Sequence, residues 1–275
     1  MHKGKQNHGA LLVLIAAMLW GTTGTSQALA PQGATSLAIG AVRLTVGGII
    51  LLIYAYLRGS FRGLRGWPIL PTIIAAASVA LYQPFFFAGV SKTGVAVGTM
   101  VAIGSSPVLA GVLGYFVQKE KPGVKWFVAT GLAVTGNIML LFSENELSLN
   151  VVGIVLALCA GLAYASYSLA SKKLLEKYPS ELVVAVVFTV GAILLFPLLI
   201  TSELNWLLNY RGLAVALHLG FFTIAVAYSL YARGLKNISV ATAVTLTLAE
   251  PLTAAMLGIF LLGEKITLLS GIGMA

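Results

Sequence analysis

Nine apolar runs of about 18 residues or more, followed by the start of a tenth, leave this chain one kind of solvent in which to fold. As a helix, a run of that length crosses about 30 Å of hydrocarbon. The runs cover 9 to 30, 36 to 57, 67 to 89, 94 to 117, 124 to 142, 150 to 171, 182 to 200, 212 to 232, 238 to 262 and 266 onward. With 59% hydrophobic and 9% charged residues, the chain lacks the polar groups to cover a water-facing surface. A surface facing lipid needs none, and within lipid a helix satisfies its own backbone. The expected fold is an all-α polytopic membrane protein with ten transmembrane helices. The tenth run is only ten residues long at Ala275, too short to cross, and is read as truncated by about ten residues.

The two halves match in register. At an offset of 144, Gly9 to Trp20 falls on Gly153 to Tyr164, and Thr45-Val46-Gly47-Gly48-Ile49 falls on Thr189-Val190-Gly191-Ala192-Ile193. Pro107 falls on Pro251, Gly114 on Gly258, and Glu120-Lys121 on Glu264-Lys265 at the same offset. At 145, Gly89-Val90 and Val95-Ala96 fall on Gly234-Leu235 and Val240-Ala241. The expected organisation is therefore two five-helix repeats, 1–145 and 146–275. An odd number of spans inserts them in opposite orientations, a plan of secondary transporters with the site near the midplane between halves. Lys3, Lys5, the apolar Ala10 to Leu19 and Ala28-Leu29-Ala30 also fit a cleavable signal. The partner that this first segment has in the second half argues against cleavage.

The formal charge of +9 sits in short loops rather than in a basic stripe, so it reads as a topology determinant and not as a nucleic-acid footprint. Placing the N-terminus in the cytoplasm puts thirteen Lys and Arg on that side and only Lys92, Arg211 and Lys265 on the other. The sequence holds no HExxH, Walker loop, CxxC or GxSxG, and no ATP-binding segment. Neither an enzyme, a cofactor, a metal site nor a primary pump is expected. Cys159 is alone and lies in an apolar run.

Ionisable and aromatic residues inside the spans are the candidates for chemistry. A charge at mid-bilayer costs at least about 2.5 kcal/mol unless it meets a partner or water. Arg43, seven residues into the second segment, suits a carboxylate; Glu250, near the middle of the ninth, suits an amine or a proton. Their depths differ by roughly 10 Å at the helical rise, so they pair directly only if helices tilt. Either residue can instead serve backbone groups loosened by proline and glycine. His218 titrates near neutral pH when free, or packs. Trp20, Tyr82 with Gln83 and Phe86, Tyr164 with Tyr167, and Tyr228 with Tyr231 lie inside the spans rather than in interfacial belts. Each indole or phenol needs a polar partner or a wet cavity, so these eight residues are the expected substrate lining, with interhelical packing as the alternative. Pro107 and Pro251 are the expected gating points.

Leu19-Trp20-Gly21, Arg43-Leu44, the stretch from Pro107 to Glu120, and Glu250-Pro251 followed by Gly258 and Gly263-Glu264 occur in an order that resembles the drug/metabolite transporter superfamily. The likeness is to its ten-helix EamA-domain exporters and covers essentially the whole chain. It implies cytoplasmic termini, a central cavity and export of amino acids or related metabolites, and the aromatic middle is similar to that of aromatic and neutral amino-acid exporters. One departure is plain: Ser105-Ser106-Pro107 stands where the other half has Ala249-Glu250-Pro251, so no paired-Glu mechanism is available.

Taken together these features predict a secondary transporter of the inner (plasma) membrane working by alternating access on a small-molecule substrate, an amino acid or metabolite. Lipid surrounds it, no nucleic acid binds it, and a monomer is expected, with a dimer as the alternative. A nucleotide-sugar or lipid-linked metabolite carrier is the rival substrate class; it would want a strongly basic cavity, and only Arg43 offers one charge. A non-transporting scaffold subunit would keep the repeat without a wet interior.

Overall fold

The computed structural model describes residues 2–63, 66–93, 95–119, 121–141, 150–262 and 268–274. Arg65, Gly94, Glu120, Gly263, Glu264 and Lys265 lie outside the described residues. The first half contributes α1 (His2–Ala28), α2 (Ser36–Leu57), α3 (Ile69–Thr93), α4 (Val95–Gln118) and α5 (Val124–Leu141). The second begins with α6 (Val151–Leu175) and α7 (Ser180–Thr201). The eighth span is a composite: α8 (Tyr210–His218), a π-helical run over Leu219–Val226, and α9 (Ala227–Leu235). The ninth is broken into α10 (Val240–Leu246) and α11 (Ala249–Leu262), and α12 (Leu268–Met274) follows. Among the described residues there is no strand, and eight helices are long and apolar enough to cross a membrane. α5 stands beside them with 18 residues, and α12 has seven, so the ten-helix expectation is met approximately.

Burial is inverted relative to a water-soluble bundle. Leu57, Phe116, Val124 and Phe260 are exposed, where lipid would lie, while Ala38, Ala41, Ala55, Ala75, Ala157 and Ala160 are buried between helices. Burying an alkyl chain gains little against hydrocarbon, so association rests on close backbone approach and on polar contacts. The helix starts are capped as their sequences dictate: Thr35 accepts from the Ala38 amide, Asn150 from Gly153 and Ser239 from Thr242.

Two glycine crossings show how close that approach is. A Cβ on Gly9 would come within 2.9 Å of the Gly234 carbonyl oxygen, and one on Gly234 within 2.6 Å of that of Gly9. On Gly89 or Gly153 the added carbon would stand 3.1 Å from the other's carbonyl oxygen. The start of α1 thus meets the end of α9, and the start of α6 meets the end of α3, each pair antiparallel. Gly9 and Gly153 differ by 144 and Gly234 and Gly89 by 145, so exchanging the halves exchanges the two crossings. α2 packs against α7 and α5 against α12, pairs that such an exchange returns to themselves.

Polar ties between spans concentrate at one end of the bundle. There Arg233 Nη2 donates to Glu181 Oε1 at 2.7 Å and to the Tyr54 hydroxyl at 3.1 Å, joining α9 to α7 and α2. Lys172 Nζ, at the end of α6, donates to the carbonyls of Leu235 and Ile238 at 2.7 Å each, a cation on the closing turn of a helix. The Tyr178 hydroxyl donates to the Gly66 carbonyl at 2.8 Å, and the Trp67 ring lies tilted against the tyrosine with 4.4 Å between centroids. At the opposite end Thr22 and His218 share a 2.9 Å hydrogen bond between α1 and α8.

Gly234→Val and Gly89→Val are each expected to destabilise the protein by about 1–3 kcal/mol, because the added carbons meet backbone that cannot yield. Gly131→Ala, where a Cβ meets nothing within 4 Å, should be neutral or slightly stabilising. Thermal unfolding in detergent measures both; an unshifted Gly234→Val would mean that the crossing yields readily.

Candidate functional site

α1 carries Trp20, Thr23, Gly24 and Gln27 at i, i+3, i+4 and i+7, one stripe of a helix, and that stripe forms one wall of a cavity of about 310 Å³. α3 supplies Tyr82, Phe86 and Phe87; α2 supplies Arg43; Glu250 and Pro251 lead from α11. Tyr164, Tyr228 and Ser106 close the inner end. From there the space runs toward Gln27, Ser36, Val90 and Thr99, near the finish of α1 and α3 and the start of α2 and α4. This is the end opposite the Arg233 and Lys172 ties.

Trp20 is the hub of the aromatic cluster. Its centroid lies 4.6 Å from Tyr228, 5.4 Å from Tyr231 and 6.1 Å from Tyr164, in tilted and edge-on contacts that aromatic quadrupoles favour. The indole Nε1 donates to the Thr223 carbonyl at 2.8 Å. Thr223 lies in the π-helical run; where bonding returns from i→i−5 to i→i−4 one carbonyl is passed over, and a side-chain donor can take it. The sequence gives no sign of this widened turn.

The second irregularity is the break between α10 and α11 at Thr247 and Leu248. Pro251 cannot donate to the residue four before it, so it ends the preceding helix and sits without cost in the first turn of the next. Glu250 also lies in that first turn. Pro107, its counterpart, behaves differently: α4 runs through it unbroken, with the Ser106 hydroxyl bonded to the Ala102 carbonyl at 2.7 Å one turn before. Ser106 and Glu250 nevertheless face the same cavity.

Among the described residues, Arg43 and Glu250 are the cation and the anion of the lining. Arg43 is 9% exposed, and its Nε is buried without a hydrogen-bond partner among the described residues. No ion pair or hydrogen bond joins either side chain to another described residue.

Of the expected lining, Trp20, Tyr82, Phe86, Tyr164 and Tyr228 are on the cavity wall together with Arg43, Glu250 and Pro251. Gln83 and Tyr167 line a small recess behind Tyr82, Tyr164 and Tyr228. Tyr231 stands off the wall: it is fully buried behind Trp20, its hydroxyl sharing a 2.7 Å hydrogen bond with Ser168, and there it packs against the indole. His218 is off the wall as well, held by Thr22, and Pro107 lies within α4 next to the lining residue Ser106 without itself being on the wall. Sequence reasoning passed over Thr23, Gln27, Ser36 and Thr99, although the spacing of the first two on α1 was legible. Phe188, packed 4.4 Å from Tyr228 as the floor beneath it, gave no signal, being one apolar residue among many.

The EamA-like transporter family matches the chain twice, over residues 7–142 and 151–275. Over 271 residues the chain is 44% identical to the "Uncharacterized transporter YwfM" of Bacillus subtilis, covering 98% of this chain and 91% of that one. It is 25% identical over 278 residues to the "Uncharacterized inner membrane transporter YicL" of Salmonella typhimurium, covering 98% and 92%. It is 26% identical over 268 residues to the "Uncharacterized inner membrane transporter YedA" of Escherichia coli, covering 94% and 84%. A crystal structure with 21% identity shares the fold at a TM-score of 0.83, covering 96% of this chain and 92% of its own.

Cysteines placed one at a time at Thr23, Gln27 and Thr99 in a Cys159→Ala background should react with an impermeant thiol reagent applied to one face of the membrane. A cysteine at Tyr231 should resist it from both faces. Equal labelling at Tyr231 and Gln27 would contradict the cavity as drawn.

Proposed function

The chain belongs to the EamA-like transporter family, and from that premise we propose that it exports neutral and aromatic amino acids and related small metabolites by alternating access. The observation that carries the reading is the cavity itself. Its rings, from Trp20, Tyr82, Phe86, Tyr164 and Tyr228, offer stacking surfaces, while Thr23, Gln27 and Thr247 offer hydrogen bonds. A volume of about 310 Å³ falls at the small end of ligand sites and suits a solute of amino-acid size. A phosphate-bearing substrate is less well served, since the lining's cation is matched by an anion.

The protein is a multi-pass membrane protein. Two halves at 1–145 and 146–275 are supported by the doubled family match and by the reciprocal glycine crossings. Counting basic loop residues orients the end tied by Arg233, Glu181 and Lys172 toward the cytoplasm. On that orientation the cavity faces outward, in the state that follows release, and an inner-membrane location accords with the relatives' names. The broken α10–α11 at Pro251 and the continuous α4 at Pro107 are the unequal hinges about which the halves would rock.

Purified protein in liposomes loaded with a mixed amino-acid pool should release phenylalanine, tyrosine and tryptophan ahead of acidic and basic amino acids. Trp20→Ala should cut that flux by roughly 100-fold or more, as loss of a central aromatic anchor does, while inserting normally. Release indifferent to Trp20, or no amino-acid flux from the wild type, would overturn the reading.

A further inference from the structure

The cavity's two charges point to how it selects. Among the described residues its wall carries a guanidinium from α2 and a carboxylate from the first turn of α11, with no other ionisable residue of either sign except tyrosine. Neither is bonded to another described residue, and Arg43 is buried nearly completely. Charges taken out of water are tolerated when they are paired and hydrogen-bonded; here the two feel each other across the cavity, but among the described residues neither is in an ion pair or accepts or donates a hydrogen bond. A ligand that bears only a carboxylate would satisfy Arg43 and leave Glu250 in a drying cavity; an amine would do the reverse. A ligand carrying both, with an apolar or aromatic remainder, satisfies the whole wall.

We infer that Arg43 and Glu250 are a two-ended clamp for zwitterions, Arg43 holding the α-carboxylate and Glu250 the α-ammonium while Trp20, Tyr82 and Tyr228 hold the side chain. This rests on the amino-acid reading above and sharpens it: the transported class is defined by its free amino and carboxyl groups, and the aromatic lining ranks members within it. The arrangement also gives a role to the asymmetry between halves. Ser106 occupies the position equivalent to Glu250, and a second carboxylate there would leave the cavity with an anion that a zwitterion cannot match.

The test is competition in proteoliposome counterflow of labelled L-phenylalanine by three unlabelled compounds: L-phenylalanine, its amide and its N-acetyl derivative. Wild type should prefer phenylalanine over both others by roughly 10- to 100-fold, the span of a charge-assisted hydrogen bond. In Arg43→Gln the preference over the amide should vanish while that over the N-acetyl compound persists; in Glu250→Gln the pattern should reverse. Arg43→Lys should restore part of the preference over the amide. Size-exclusion and melting profiles of each variant establish that it is folded. Wild-type counterflow that accepts all three compounds equally would overturn the clamp and leave amino-acid transport standing. So would variants that weaken all three by one factor, the mark of a merely structural role. Wild type that moves no amino acid at all would overturn both.

Discussion

A backbone inside lipid has no water to satisfy its amides and carbonyls, and the rest of this structure follows from that constraint. It forces the chain into helices, and it dictates where the helices are allowed to fail. Both irregular stretches, the π-helical run Leu219–Val226 and the break at Thr247 and Leu248, reach the cavity wall, the first through Thr223 and Ile224 while its Phe221 and Phe222 turn outward, the second through Thr247. The carbonyl passed over in the first is taken by Trp20, and the broken end of the second presents Glu250. Irregular backbone, the aromatic hub and the charged group therefore occupy one place for one reason: only there can loosened polar groups find partners.

The same scarcity of solvent makes the two ends of the bundle unequal. Each glycine crossing has its counterpart, yet the polar ties do not. Shifting Arg233 back by 145 reaches Ala88, and shifting Glu181 and Lys172 back by 144 reaches Leu37 and Ala28, so the equivalent positions at the other end have no charge with which to close it. The Arg233–Glu181 pair is partly exposed and worth little in isolation, on the order of 1 kcal/mol or less. Together with Lys172 on the end of α9 and Tyr178 on Gly66, it holds four spans at one end while the other stays parted around the cavity.

Packing and site are separable in the aromatic cluster. Tyr231 and Phe188 are wholly buried and fix the orientation of Trp20 and Tyr228, which in turn present a ring face to the cavity. Six aromatic residues on four different spans meet through Trp20 and its neighbours, and no single span shows which of its rings points inward.

Sequence alone determined the medium, the helices and the match between halves, because the length of an apolar run and the spacing of Gly9, Gly89, Gly153 and Gly234 are local and countable. It also placed the intramembrane charges Arg43 and Glu250, since a charge in an apolar run stands out whatever its surroundings. What it left undecided was direction. Tyr228 and Tyr231 are three residues apart on one helix and chemically identical, yet one meets the cavity and the other meets Ser168. The likeness of Pro107 and Pro251 hides a continuous helix and a broken one. These are outcomes of how helices rotate and bond against one another. Only the tertiary structure decides them, because in a chain so uniformly apolar the polarity of a side chain no longer tells which way it faces.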